Sequence, residues 1–149
     1  MAKIHIADDD ADIRHLLTFV LAEEGHEVRV SPDGRMAVDA MCMDPPEVLL
    51  LDLMMPEMDG HAVLTDMKDY QVLDSVKVLV LTAKGSEHDR HLAFDLGADH
   101  YLTKPFEPDE VIEAVATMLE LSKEELKVSR EQERDTAHLL SQLESILDE

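Results

Sequence analysis

Val48, Leu49, Leu50 and Leu51 run straight into Asp52, and Leu53, Met54, Met55, Pro56, Glu57, Met58, Asp59 and Gly60 follow. An apolar run this short, bounded by turn residues, reads as a strand buried on both faces, and such strands belong to parallel sheets covered by helices. Four more segments read as short strands: Lys3 to Ala7, Glu27 to Ser31, Val76 to Leu81 and His100 to Thr103. The stretches between them repeat apolar residues at helical spacing. Ile13, Leu16, Leu17, Val20 and Leu21 run up to Gly25, and Met36, Val38, Ala40 and Met41 lie within Gly34 to Met43. Helices follow over Ala62 to Lys68, Glu87 to Leu96 before Gly97, and from Pro108 through Val111, Ile112, Val115, Met118 and Leu119. Strands alternating with helices predict an α/β fold with a five-stranded parallel sheet, doubly wound by helices on both faces.

A chain of 149 residues suits one such domain with some chain left over. The division predicted is a domain over residues 1–120 and an acidic helical extension over 121–149. Ser122 and Glu125 are spaced as a capping box, with Leu121 and Leu126 placed as its hydrophobic staple, so the last helix of the domain either gives way there to a new or re-angled helix or runs on as one straight helix. The middle of the extension is polar, whereas Leu139, Leu140, Leu143, Ile146 and Leu147 form a stripe. A stripe with no domain left to cover needs a partner, such as a second copy in a homodimer, or must lie back on the first domain.

The formal charge of −21, from 34 acidic against 13 basic residues, would repel DNA and anionic membranes and argues against direct nucleic-acid binding. No run is long and apolar enough to span a bilayer, and no apolar signal core follows Met1, so a cytoplasmic protein is expected. Cys42, the only cysteine, is expected to be a small buried hydrophobe of its helix. His5 is expected to be a hydrogen-bonded sheet residue, and His88 and His91, though on one helix face, lack a further placed ligand.

Ligands of open parallel sheets bind where the strands end. The first strand ends in Asp8, Asp9 and Asp10, the third in Asp52, the fourth in Thr82, and the fifth leads to Lys104 and Pro105. Carboxylates gathered at one edge repel unless a cation is shared among them, and an all-oxygen set favours magnesium. A hydroxyl donor and an ammonium at the same edge are the groups that neutralise a phosphoryl group in transfer. Asp10 or Asp12 reads instead as a helix cap.

The acidic pair Asp8–Asp9, the Asp52 run ending in Met-Pro-Glu-Met-Asp-Gly, Thr82-Ala83 and Lys104-Pro105-Phe106 together resemble the receiver domain of two-component response regulators. The resemblance covers roughly residues 2 to 120 and implies a CheY-like, flavodoxin-like fold. It implies that Asp52 is the phosphoacceptor and that Mg2+ is held by Asp9, Asp52 and the Met54 backbone carbonyl, with Asp8 close by. Thr82 and Lys104 would each take a phosphoryl oxygen, and Thr82 with Tyr101 would form the switch. The Lys104–Pro105 peptide would be cis. The donor would be a phosphohistidine on a sensor histidine kinase or phosphotransfer protein, the output a contact with a downstream protein partner, and the only catalysis the chain's own phosphorylation and slow dephosphorylation. Met54 and Lys84, two residues after Asp52 and Thr82, would set how fast the phosphoryl group is lost; an apolar Met54 cannot orient an attacking water, so a long-lived phosphorylated state is expected.

Partner contacts are narrowed only to Ala11 to Arg14. The last helix of the domain carries Asp109, Glu110, Glu113 and Glu120 without a basic residue, which weakens a salt-bridged dimer through that face. Three alternatives compete. Haloacid-dehalogenase-like phosphatases require an Asp two residues after the nucleophile, where this chain has Met54. A receiver-like interaction module that is never phosphorylated would not need the complete set of acids, Thr and Lys. The chain as the N-terminal regulatory part of a longer output protein remains open on sequence.

Overall fold

The computed structural model describes residues 2–83 and 85–147, with the side chains of 133–138 and 141 outside that description. Its elements follow in the order β1 (Lys3–Ala7), α1 (Ala11–Glu23), β2 (Glu27–Ser31), α2 (Gly34–Met43), β3 (Val48–Leu51) and α3 (Gly60–Asp69). A short helical turn at Leu73–Ser75 precedes β4 (Lys77–Thr82), α4 (Glu87–Asp95), β5 (His100–Thr103), α5 (Pro108–Glu120) and α6 (Lys123–Leu147). The five strands form one parallel sheet in the order β2-β1-β3-β4-β5.

The two-residue period of the strands builds a core on each face. Val48 and Leu50 of β3, with Ile4 and Ile6 of β1 and Leu79 and Leu81 of β4, pack under Leu17 and Leu21 of α1 and Val111, Val115 and Met118 of α5. Leu49, Leu51, Val78 and Val80 face the other way, under Met41 of α2, Val63, Leu64 and Met67 of α3, and Ala93 of α4. All four β3 residues are fully buried, which is why that strand tolerates no polar residue until it ends. Helix ends follow local chemistry: Asp10 accepts from the Asp12 and Ile13 amides at 2.9 and 3.3 Å to cap α1. Gly25 and Gly97 hold φ of +91° and +112° after α1 and α4, a backbone state open to glycine.

Two sequence expectations, one on a strand and one on a helix, meet different outcomes. His5 lies buried in β1 with its Nε2 2.6 Å from Ser31 Oγ, as a hydrogen-bonded sheet residue should. Cys42, by contrast, is exposed. The core-facing positions of α2 are Ala37, Val38 and Met41, and the residue after Met41 is turned roughly 100° away from that face.

Leu121 takes an extended conformation between α5 and α6. The Ser122 amide donates to Glu125 Oε1 at 3.2 Å and the Glu125 amide to Ser122 Oγ at 3.1 Å, so a capping box starts α6, and Leu126 is buried beside Leu121 in the α1–α5 core. From there α6 crosses the N-terminal edge of β4 and β5. Lys123 Nζ donates to the Leu73 and Val76 carbonyls at 2.8 and 2.7 Å and lies 3.2 Å from Asp99 Oδ2. Arg130 donates to the Ala98 carbonyl and stands 3.9 Å from Asp99 Oδ1. Asp99 also accepts from the Val78 amide at 2.8 Å. Leu139, Leu140, Leu143, Ile146 and Leu147 farther along α6 are exposed.

Candidate functional site

The opposite, C-terminal edge of the sheet gathers the residues that the sequence places at strand ends. Backbone hydrogen bonds continue the ladder past the strands: the Asp52 amide donates to the Ala7 carbonyl at 3.0 Å, the Asp8 amide to Ser31 at 3.2 Å, and the Lys104 amide to Thr82 at 2.8 Å. Each functional side chain is thereby carried on backbone that the sheet itself holds in register. The Lys104–Pro105 peptide is cis, as expected.

Lys104 Nζ donates to Asp8 Oδ2 at 2.8 Å and to Asp52 Oδ2 at 3.0 Å. Both carboxyl side chains are almost wholly buried, at 3 and 6 % exposure. Asp52 Oδ1 accepts from the Met54 amide at 3.0 Å, and Asp8 Oδ1 from the Asp10 amide at 2.9 Å. One ammonium therefore stands against two carboxylates inside the fold, and Asp9 adds a third, exposed one.

The cost of that imbalance shows in the acids and the lysine. Burial raises the Asp8 carboxyl above the ordinary range; the hydrogen bonds from Lys104 and the Asp10 amide oppose the rise without cancelling it, and Asp52 adds to it. For Lys104, burial alone would lower the ammonium, but hydrogen bonds to Asp8 and Asp52, reinforced by their charges, raise it overall. The site keeps its lysine charged and its Asp8 reluctant to be.

Carboxylate oxygens from Asp8, Asp9 and Asp52 lie within 4.8 Å of one another. Hard divalent cations take oxygen ligands from carboxylates, backbone carbonyls and water. A donor set of three acids on one side of a single ammonium fits such an ion, because the added charge relieves a repulsion that Lys104 leaves in place.

Thr82 is fully buried at the end of β4, and Tyr101, in register with Val80, is 3 % exposed. The Tyr101 ring packs against Phe94 with centroids 6.2 Å apart, and the Arg90 guanidinium lies over both rings at 5.8 and 5.4 Å. Burial, with Asp89 nearby, raises the phenol above its ordinary range. Met54 is 51 % exposed at the mouth of the site, and Lys84 lies outside the described residues. Arg14 enters as more than a surface candidate: its Nη1 donates to the Asp8 carbonyl at 2.8 Å, bracing the acidic turn from the first turn of α1. The signal for it was its place six residues after Asp8, one turn into the helix that this turn caps.

The family profile of the response regulator receiver domain matches residues 4–116. The chain belongs to that family. The receiver domain of the Francisella response regulator 1452 superposes with a TM-score of 0.74 at 30 % identity, over 79 % of this chain and 96 % of that one. The chemotaxis response regulator CheY4 of Vibrio cholerae gives 0.75 at 27 %, over 79 and 98 %. A CheY-like receiver domain protein from Methanospirillum hungatei gives 0.75 at 24 %, over 80 and 94 %, a likeness of fold alone. The receiver signature thus covers the sheet and the helices up to α5, and α6 lies beyond the matched residues. Among the described residues no helix is long and apolar enough to cross a membrane.

Proposed function

We propose that this receiver domain accepts a phosphoryl group on Asp52 from a phosphohistidine of a sensor histidine kinase or phosphotransfer protein, with Mg2+ as cofactor, and thereby changes its affinity for a downstream protein. The observation that carries the reading is the single Lys104 ammonium shared by two buried carboxylates. A structural ion pair needs one acid for one base, and the second acid is a standing demand for more positive charge.

In the reaction an Asp52 carboxylate oxygen forms a bond to phosphorus as the bond from phosphorus to the imidazole nitrogen breaks, and the nitrogen keeps the electron pair. The product is an acyl phosphate. The Met54 amide holds Asp52 Oδ1, so Oδ2, which faces Lys104, is the oxygen left to attack. Lys104 exchanges its contact with Asp52 for one with a phosphoryl oxygen, offsetting the charge that spreads over the transferring group. The Thr82 hydroxyl donates to a second phosphoryl oxygen. Asp8, Asp9, Asp52 and the Met54 carbonyl are the residues to hold Mg2+, which when bound supplies further positive charge for the phosphoryl oxygens. Each protein molecule carries one phosphoryl group and loses it slowly by hydrolysis, so it acts as a switch rather than as an enzyme on a separate substrate.

The exposed stripe from Leu139 to Leu147 is the surface for a homodimer or another protein partner. The test of phosphoryl transfer is incubation with acetyl phosphate and magnesium, followed by intact mass measurement. One phosphoryl group should be added to the wild type and none to Asp52→Asn. Equal uptake by the variant would reject Asp52 as acceptor.

A further inference from the structure

Arg130 does more than pair with Asp99. Its guanidinium lies 5.3 Å over the Phe94 ring, and Phe94 is the ring that packs on Tyr101 and shares Arg90 with it. A continuous stack therefore runs from β5, through α4, to the second turn of α6. Tyr101 sits one strand position from the Leu81–Leu102 pair and two from Thr82–Thr103, and the Lys104 amide is bonded to the Thr82 carbonyl. The stack begins at the strand ends that carry the phosphoryl-binding groups.

Resting on the phosphorylation of Asp52 argued above, we propose that α6 is seated on the domain in the unphosphorylated state and that phosphorylation releases its second turn, with Phe94 carrying the change from Tyr101 to Arg130. The present contacts belong to the unphosphorylated arrangement, since Lys104 is bonded to both Asp8 and Asp52. Drawing Thr82 and Lys104 onto a phosphoryl group changes the packing beside Tyr101. A closely packed interior passes such a change on in discrete steps rather than absorbing it. Arg130 lies over Phe94 and donates to the carbonyl of Ala98, whose own amide is bonded to the Ala93 carbonyl of α4, while its separation from Asp99 is at the outer limit of an ion pair. A displacement of α4 with its ring therefore acts on both of its closer contacts outside the ion pair. Lys123 is different. It is held by Asp99 and by the carbonyls of Leu73 and Val76, none of them on α4, so the first turn stays in place while the second loosens.

Linkage makes the effect reciprocal: what phosphorylation weakens must, when absent, favour phosphorylation. The geometry also separates this α6 response from any change at the α4 surface alone, because Arg130 lies on an element outside the matched receiver fold.

The test is amide hydrogen exchange on the full chain, with intact mass measured on the same samples before and after acetyl phosphate and magnesium. Residues 127–132 should exchange roughly fivefold faster or more in the phosphorylated chain, while residues 115–120 of α5 stay unchanged. A Phe94→Leu variant, which keeps an apolar side chain but loses the ring, should show the faster exchange at 127–132 without phosphorylation and little further change with it. Phosphoryl uptake with unaltered exchange at 127–132 would overturn the release and leave Asp52 as acceptor. Wild-type protection in unphosphorylated Phe94→Leu would overturn the link through Phe94. No uptake at all would refute the phosphorylation reading and the release with it, whereas the unphosphorylated Phe94→Leu result would still judge the contact itself.

Discussion

The two edges of the sheet carry the same kinds of residue in opposite proportions. At the N-terminal edge one buried carboxylate, Asp99, meets two cations, Lys123 and Arg130, and the Val78 amide. At the C-terminal edge two buried carboxylates, Asp8 and Asp52, share one cation, Lys104, with Asp9 beside them. The first arrangement is saturated and ties a helix down. The second is short of positive charge and is built to take more. Burial of ionic groups therefore does not distinguish a structural site from a chemical one; the ratio of charges does.

The contrast breaks most easily at one acid from each edge, Asp99 and Asp8. Asp99→Ala removes the countercharge of two cations and the acceptor for a buried amide, and should lower stability by about 3 kcal/mol. Asp8→Asn removes a carboxylate whose charge the fold disfavours, so it should raise the urea midpoint in magnesium-free buffer. Equilibrium unfolding in urea measures both. Equal destabilisation by the two variants would mean that the edges do not differ as argued.

Another buried ionisable group, His5, sharpens the comparison because it has neither arrangement. Burial, with the charge of Arg29 adding to it, lowers His5 from its ordinary 6.5 to about 4. The folded state thus prefers neutral imidazole. Its contribution is fully present above pH 6.5 and is lost as the pH falls towards 4, by roughly 3 kcal/mol in all. Unfolding measured from pH 7 to 4 should show this loss, and His5→Asn should flatten the slope. A wild-type slope in the variant would assign the effect to other groups.

The smallest effect concerns lifetime. Met54 stands exposed at the mouth of the site without a polar atom to orient water. Met54→Asn should speed loss of the phosphoryl group by about tenfold, a modest share of what positioned proton-transfer groups achieve. Decay followed by intact mass at neutral pH with magnesium would show it, and decay of the wild type within seconds would contradict the long lifetime expected.

Most of the open edge was legible in sequence. Asp8, Asp52 and Lys104 each follow directly on a strand and Thr82 is the last residue of one, and parallel strands end on the same side when helices join them. The break before α6 was legible in part: Ser122 and Glu125 are a local pattern, but the sequence left one straight helix equally open, and the extended Leu121 decides for the break. The closed edge was not. Asp99 pairs with Lys123 and Arg130 only because α6 turns back beneath β4 and β5, and no periodicity records the direction a helix takes after an extended residue such as Leu121. Cys42 escaped for a related reason: its neighbours are apolar, and only the phase of α2, set by Ala37, Val38 and Met41, turns it outward. Arg14 was read as surface, and its bond to the Asp8 carbonyl depends on how closely α1 follows its cap.

The central claim is that the open edge exists to carry a phosphoryl group on one carboxylate. An acyl phosphate on an aspartate is reduced by borohydride to homoserine, whereas a phosphorylated hydroxyl is not. After treatment with acetyl phosphate and magnesium, reduction and peptide mapping should place homoserine at residue 52 alone. Homoserine at residue 8 or 9, or a phosphoryl group that resists reduction, would contradict the account.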